Sequence, residues 1–391
     1  MLMMGWGIFY IYGVFFNPLS QEFGWTRAVT SGAFSICILM SGGLGIIAGR
    51  LSDRFGPRIV LFYCTIVLGM GYFLMSFIQD LWQFYLVYGL LVAAGISGFW
   101  APAIATVSRW FVKKRGMMTG IVSGGISFGT LVLPPLVTHL ISASNWRITY
   151  IIIGATVLMV DFIVLRFFRS DPRQMGLLPL GASAAEFQPY LPLQGFSLKL
   201  AMKTRQFWMV CLMYLCFGVF QLAVMVHIVP YAQDIKISAI SAAGILSIVG
   251  GVSLAARIII GILTDKLKVR VTTILCLVIL VTALTWLQFA DNLWKLYLFA
   301  VVFGFGYGGL SCLQALIAAE LFGLVSMGVI TAIFSFSFNV GGAVGPVMAG
   351  YLFDSGGSYR WAFLICVISA GIAFVISLFV KPPLNNLSSE S

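Results

Sequence analysis

Arg257 is the one charged side chain in an apolar stretch that runs from Ala239 to Thr264. A guanidinium stays ionised in proteins, and placing one deep in a membrane costs at least ~2.5 kcal/mol. Its planar fork suits a carboxylate, which it can bind through two parallel hydrogen bonds. The acidic residues of the chain fall in loops, in tails or near the ends of apolar segments, as Asp161 and Glu320 do. We therefore expect the anion that pairs with Arg257 to be a ligand.

Two other roles for Arg257 stay open, namely an internal structural pair and snorkelling of the side chain to nearby water. The nearer water lies beyond the C-terminus of the helix, where Asp265 is about 12 Å away along the axis. A helical side chain leans towards the N-terminus of its own helix, which for Arg257 is the opposite direction. This lean favours substrate binding over snorkelling.

His227 is the only ionisable side chain in the apolar body of its segment. An imidazole titrates near neutral pH and can relay a proton. Alternatively, His227 bonds to backbone groups that Pro230 leaves without a partner. We predict a proton-coupling role, whereas His139 is typical of a residue at the membrane interface.

The elements that carry these residues are membrane helices. The chain has 391 residues, a mean hydropathy of +1.03 and 9% charged residues, whereas soluble domains carry about 25%. A bilayer core of ~30 Å needs about 20 apolar residues per helix, and such runs recur along the chain. The sequence predicts an all-α membrane protein with twelve transmembrane helices at 2–20, 28–50, 58–78, 81–109, 115–143, 147–169, 204–233, 239–264, 270–290, 293–320, 325–353 and 360–381.

The helices fall into two sets of six. Residues 170–203 are rich in Pro, Gly and Ala and are predicted to form a linker between an N-terminal bundle, 1–169, and a C-terminal bundle, 204–381, with a tail at 382–391. Alternate loops hold 17 of the 23 Lys and Arg residues, the other loops hold five, and Arg257 is the remaining one. The positive-inside rule then places the loops that hold these 17 residues, the linker and both termini in the cytoplasm. The net charge of +11 reports topology rather than nucleic-acid binding.

The chain also repeats itself. The segment "GRLSDRFGPR" at 49–58 returns in weaker form as "GILTDKLKVR" at 261–270, and the position equivalent to Arg257 is Gly45. The architecture itself therefore does not require a cation there. Parallel repeats of this kind are typical of secondary transporters, which bind substrate near the bilayer midplane between the two halves.

With its twelve helices, its central linker and the loop "GRLSDRFGPR", the chain resembles the major facilitator superfamily. More narrowly, "YGVFFNPLSQEFGWTRAVTSGAFSI", "RWFVKKRGMMTGIVSGG", "HIVPYAQDIKIS" and "RIIIGILTD" are similar to bacterial members of the monocarboxylate transporter family. The neighbouring oxalate/formate antiporters share much of this pattern. The resemblance implies the major facilitator fold and a plasma-membrane secondary transporter that works by alternating access.

The resemblance also implies roles for individual residues. A cytoplasmic gate would comprise Asp53, Arg54, Arg58, Asp265 and Lys266, although the same residues fit a basic cluster that only sets topology. Helices 1, 4, 7 and 10 would line the cavity, with support from helices 5 and 11. The candidate substrate contacts on these helices are Tyr10, Tyr12, Phe15, Phe99, Trp100, Tyr214, Tyr307, Phe336, Asn339, Ser123 and Ser127, each of which can equally be a core residue.

This sequence departs from the relatives at informative positions. Eukaryotic monocarboxylate transporters place an acid four residues before the arginine, where this chain has Ser253, and a lysine in helix 1 that is not evident here. The oxalate transporters have a lysine in helix 11, and here that helix has none. One cation favours a small monocarboxylate such as L-lactate or pyruvate over a dianion. We predict proton-coupled symport in which Arg257 holds the carboxylate and His227 or nearby hydroxyls pass the proton, with organic-anion antiport as the alternative.

Other classes of protein fit less well. We find no Ser/His/Asp set, metal cluster or phosphate-binding loop in the sequence, so we expect neither an enzyme nor a bound cofactor or metal. The seven cysteines lie in apolar segments without metal-ligand spacing. A substrate sensor that binds without transport is a further alternative, disfavoured because the sequence shows no signalling domain. We expect a monomer that contacts the lipid bilayer, the monocarboxylate and a proton.

Overall fold

The computed structural model describes residues 1–111, 115–172, 176, 180, 195–323 and 325–380, without the side chains of residues 53, 108, 115–117 and 265. The described residues form long helices, as the apolar runs predict. The helices are α1 Tyr12–Phe23, α2 Arg27–Phe55, α3 Pro57–Met75, α4 in the four pieces Leu81–Phe84, Tyr85–Val92, Ala93–Ser97 and Trp100–Trp110, α5 Arg115–Ala143, α6 Trp146–Phe167, α7 Arg205–Asp234, α8 Ala239–Lys266, α9 Val269–Leu287, α10 Leu293–Phe322, α11 Met327–Gly356 and α12 Arg360–Phe379.

Eleven helices among the described residues, α2 to α12, are long and apolar enough to cross a membrane. The first predicted helix differs from a regular span. It consists of a π-helical turn, Met3–Gly7, and then α1, with a break at Tyr10 and Ile11. Helix α4 also contains a π-helical stretch, Tyr85–Val92. The prediction of an all-α membrane protein is confirmed, and the irregular stretches were not predicted.

Short polar residues fix where the helices begin. Thr26, Asn145, Thr204, Ser238 and Asn292 each cap a helix by accepting a hydrogen bond from a backbone N–H in its first turn. Such caps place the helix starts within a few residues of the predicted boundaries.

The turn between α2 and α3 follows from its sequence. Gly56 has φ +89°, a conformation that glycine adopts without strain, and Pro57 starts α3 with the φ that a helix needs. Most of the predicted linker, 170–203, and the tail, 382–391, lie outside the described residues. Within the linker range the structure has a short helix, Leu198–Met202, which the sequence analysis did not predict.

We call α1–α6 the first half and α7–α12 the second half. The halves meet where glycines let backbones approach. A Cβ atom on Gly250 of α8 would lie 2.5 Å from the backbone nitrogen of Leu131 in α5, and one on Gly350 of α11 would lie 2.7 Å from the backbone of Arg27 and Ala28 in α2. Close contact at small residues is the usual way in which membrane helices associate.

The Gly350 contact lies at the predicted extracellular ends of its two helices, and the Gly250 contact lies near the middle of its helices. Nearer the predicted cytoplasmic ends of the same four helices, Gly49, Gly120, Gly261 and Gly328 have open space where a Cβ atom would stand. These four glycines therefore make no close contact between helices, in contrast to Gly250 and Gly350.

Candidate functional site

Arg257 is a buried cation in the second half. Its side chain is 9% exposed, and its Nε has no hydrogen-bond partner among the described residues. The Cζ atom lies 6.0 Å from the ring centre of Tyr307 in α10. A Cβ on Gly308 would lie 2.7 Å from the Cα of Ser253, which fixes the register of α8 against α10. Tyr307 is then about one turn closer to the membrane centre than Arg257, so the guanidinium points in the direction predicted from the helical lean.

Tyr10 brings the first half to this arginine. It sits at the break before α1, is buried, and interacts electrostatically with Tyr307 and Arg257. Tyr10 lies at this break, and its phenol is next to Gln221 of α7 and Tyr307 of α10. Two hydroxyl groups and one guanidinium thus converge from both halves of the chain.

Gln221 of α7 completes the cluster, and the sequence analysis did not single it out. Its side chain is fully buried, and neither amide atom has a hydrogen-bond partner among the described residues. The phenol of Tyr10 is the polar group next to it. A buried amide without partners costs on the order of 1–3 kcal/mol per unsatisfied group. The lone amide in the apolar run "FGVFQLAVMV" was the available signal.

Ser127 and Ser253 join the halves one turn from Arg257. The Ser253 hydroxyl donates to Ser127 Oγ over 3.0 Å, with a second oxygen, the Gly250 carbonyl, at 2.9 Å. One turn before Arg257 the chain therefore has a neutral hydroxyl pair and not a carboxylate. The hydroxyls leave the charge of Arg257 uncompensated.

Several other predicted substrate contacts lie elsewhere. Tyr12 donates to the Thr30 carbonyl over 2.6 Å, and Phe15 stacks on Tyr150 at 4.2 Å between ring centres. Both side chains lie in the core of the first half in this structure, and their contact with substrate stays a prediction.

The remaining candidates are also not joined to Arg257 by a described contact. Phe99 is buried beside Gly5, and Tyr214 bonds to the Leu310 carbonyl inside the second half. Ser123 bonds back to the Gly120 carbonyl of its own helix, and Asn339 lies beside Gly42 of α2. Trp100 and Phe336 are 40% and 41% exposed.

His227 lies between the halves and not beside Arg257. It is fully buried, with Nε2 2.9 Å from the Pro346 carbonyl and 3.1 Å from Ser31 Oγ, and with Nδ1 2.9 Å from the Tyr359 hydroxyl. Since a carbonyl only accepts, the proton of the neutral ring belongs on Nε2, and Nδ1 accepts from Tyr359. Burial raises the pKa of the Tyr359 phenol, so this hydroxyl keeps the proton that it donates.

Arg27 connects that histidine to an ion pair on the predicted extracellular face. It forms two hydrogen bonds of 2.7 Å to Asp234 and donates to Tyr359 over 2.5 Å. Asp354 accepts from the backbone N–H groups of Arg27 and Ala28 at 2.9 and 2.8 Å, and so caps α2 from the opposite half. We call Arg27, Asp234, Asp354 and Tyr359 the outer latch.

The outer latch was missed in the sequence because its charges stand at helix ends, where they resemble ordinary loop charges.

The residues of the predicted cytoplasmic gate are only partly described by the structure. The side chains of Asp53 and Asp265 lie outside the described part of the structure. Arg54 lies over the ring of Phe55 at 5.2 Å, Arg58 lines a groove between α3 and α6, and Lys266 is exposed. The gating role of these residues stays a prediction.

The sequence pattern of the Major Facilitator Superfamily matches residues 1–346. The chain belongs to the Major Facilitator Superfamily. It is therefore a membrane transporter and not an enzyme, and the major facilitator fold is confirmed. The chain is also similar, with 16% identity and a TM-score of 0.71 over 98% of each chain, to the solved structure of a bacterial homologue of the human lysosomal transporter Spinster.

Curated superfamily members refine the comparison. Monocarboxylate transporter 12 of Mus musculus is 25% identical over 94% of this chain and 80% of its own length. Monocarboxylate transporter 7 of Homo sapiens is 24% identical over 96% and 83%. The oxalate:formate antiporter of Oxalobacter formigenes is 26% identical over 96% and 88%. The resemblance to the monocarboxylate transporters is confirmed at this distance, alongside that to the antiporter.

Proposed function

We propose that this transporter carries a small monocarboxylate such as L-lactate or pyruvate across the plasma membrane together with a proton. The observation that supports it most is the state of Arg257, a buried guanidinium with an unpaired Nε and no ion pair among the described residues. A buried cation without a counter-ion is costly. A carboxylate bound to Arg257 would remove that cost, and the phenols of Tyr10 and Tyr307 would donate to the same oxygens or to a neighbouring group.

The charge of the site favours a monoanion. α11 contains no Lys or Arg, and the Arg257 cluster combines one cation with neutral hydroxyl and amide groups. A second carboxylate would enter this apolar surrounding without a cation to pair with. The tyrosine rings and the apolar faces of α7 and α10 suit a short carbon chain.

His227 supplies a route for proton coupling. In its neutral form it accepts from Tyr359, which in turn accepts from Arg27. Protonation at Nδ1 reverses the first of these bonds and adds a positive charge facing Arg27, with Asp234 and Asp354 as the nearby anions. The outer latch would then hold less firmly. Uptake of a proton from outside would thus be linked to opening of the outer latch. A proton and a carboxylate that enter together carry no net charge.

Uptake in proteoliposomes tests the proposal. With labelled L-lactate outside, an imposed inward proton gradient should drive accumulation, because each anion enters with a proton. His227→Gln should lose the response to the gradient while exchange of labelled for internal lactate continues, since Arg257 is intact.

Two results would go against the proposal. Exchange without any response of the wild type to the gradient would favour organic-anion antiport, the activity named for the Oxalobacter formigenes relative. If neither net uptake nor exchange of lactate or pyruvate occurred, a monocarboxylate would not be the substrate.

A further inference from the structure

A groove lies on the outer surface of the first half, at the predicted cytoplasmic ends of α3 and α6. It has a volume of about 590 Å³ and is lined by Arg58, Ile59, Phe62, Tyr63, Phe162, Leu165 and Arg166. The two arginines stand at its rim, and the aromatic rings form its wall. The Phe62 and Phe162 rings, one from each helix, are 5.5 Å apart between centres.

The wall of this groove faces the lipid. Tyr63 is 62% exposed, Phe62 42% and Phe162 37%. On a membrane protein, aromatic side chains that are not covered by protein contact the acyl chains of the bilayer, because lipid tails are as apolar as these side chains. The groove therefore has an apolar part at the depth of the acyl chains and a cationic rim at the depth of the headgroups.

The two rim arginines carry uncompensated charge. Neither Arg58 nor Arg166 has an ion pair or a side-chain hydrogen bond among the described residues. The acid of the same helix, Asp161, is fully buried on another side of α6. Like charges that share a groove repel each other, so an anion between them would be stabilising.

The second half of the chain provides an internal comparison. Arg270 takes the place of Arg58 in the repeated segment. Its guanidinium donates to the backbone carbonyl of Leu378, at the end of α12. The end of α12 there reads Leu378, Phe379 and Val380, so it offers no cation to match Arg166. The pair of free arginines is thus a property of the first half and not of the fold.

We propose that the groove between α3 and α6 binds an anionic phospholipid, whose phosphate lies between Arg58 and Arg166 and whose acyl chain lies along Phe62, Tyr63 and Phe162. Basic pockets between transmembrane helices on the cytoplasmic side are suited to such headgroups. The bound lipid holds α3 against α6 within the first half. This gives Arg58 a role that is separate from the gate.

Native mass spectrometry of the full-length protein tests this site. The probe is phosphatidylglycerol, titrated into detergent-solubilised protein, with phosphatidylcholine of the same chains as the neutral reference. Arg58→Gln combined with Arg166→Gln should weaken phosphatidylglycerol binding roughly 30-fold, since each basic residue near an anionic headgroup contributes about fivefold to the affinity. Lys268→Gln combined with Arg270→Gln removes two charges at the same end of the second half and should leave the affinity unchanged.

Further arms make the outcome decisive. Arg58→Lys with Arg166→Lys keeps the charge and should retain binding, which separates loss of the site from loss of folding. Inorganic phosphate alone should not compete, because it lacks the acyl chain. Equal binding of phosphatidylcholine, equal loss in both glutamine variants, retention in the Arg58 and Arg166 glutamine variant, or displacement by inorganic phosphate would each overturn the proposal.

Discussion

Gln221 presents a donor and an acceptor that have no partners among the described residues, beside Tyr10 and within the group that surrounds Arg257. A substrate with an oxygen on the carbon next to its carboxylate can reach both kinds of group at once. Lactate and pyruvate have that oxygen, and propionate does not. We infer that Gln221 distinguishes these acids, and that Arg257 holds the carboxylate that they share.

Replacement of the amide tests this role. Gln221→Leu keeps a similar volume and removes one hydrogen bond, which contributes ~0.5–1.5 kcal/mol. The ratio of lactate to propionate affinity should fall by about 2- to 10-fold, mainly through weaker lactate binding. Competition against labelled lactate uptake measures both affinities.

Gln314→Leu is the matched control for this substitution, because Gln314 accepts from Ser335 and not from the Arg257 cluster. Its affinity ratio should stay at the wild-type value. An unchanged ratio in Gln221→Leu, or an equal fall in both variants, would remove Gln221 from substrate recognition.

At the scale of the elements, the outer latch joins the ends of α2, α7 and α11 with the start of α12. The Arg27–Asp234 pair crosses from one half to the other, and the carboxylate of Asp354 caps α2 across the same boundary. These contacts exist only while the predicted extracellular ends are together. They must break when the halves open on that side, so their strength sets part of the balance between the two conformations.

Removal of one latch charge should shift that balance. Arg27→Gln loses a partly exposed ion pair worth about 1 kcal/mol, which corresponds to a roughly fivefold larger outward-open population. Double electron–electron resonance between spin labels at Ser144 and Phe289, both exposed on the predicted extracellular side, would measure the two populations in a variant without other cysteines.

Arg147→Gln is the control for this shift. It breaks an ion pair with Glu22 on the same face, but this pair lies within the first half. It should leave the distance distribution unchanged. A distribution that does not respond to Arg27→Gln, or that responds equally to Arg147→Gln, would show that the latch does not hold the halves together.

The elements also show what the sequence could predict. Apolar runs and polar caps located the helices, because both signals are local in the chain. The break at Tyr10 and Ile11 was not predicted, since neither residue is a helix breaker, although Gly7 and Gly13 flank the break. The outer latch joins residues 207 positions apart, so its contacts depend on how the two halves pack and leave no local pattern.

At the scale of the whole molecule, both halves contribute residues to the candidate site. The second half supplies Arg257, Gln221 and Tyr307, and the first half supplies Tyr10 and the serine that meets Ser253. A site shared between halves is exposed when they part and closed when they meet, as expected for alternating access. In this structure the outer latch joins the two halves, whereas Gly49, Gly120, Gly261 and Gly328 make no close contact between helices.

Charge links this geometry to transport. The cation of Arg257 is buried in this structure, and no described carboxylate forms an ion pair with it. In the proposed mechanism a bound monocarboxylate would compensate this charge, and a proton at His227 would restore the net charge of the empty transporter. The account therefore depends on one claim, that Arg257 is the group that holds the substrate carboxylate.

Isothermal titration calorimetry of L-lactate binding to purified full-length protein tests that claim most directly. Arg257→Gln should weaken binding at least 30-fold, because loss of one partner of a buried charge pair costs ~2–5 kcal/mol, whereas Arg270→Gln, which removes an arginine bonded to the Leu378 carbonyl, should bind lactate as the wild type does. Wild-type lactate affinity in Arg257→Gln would contradict the account.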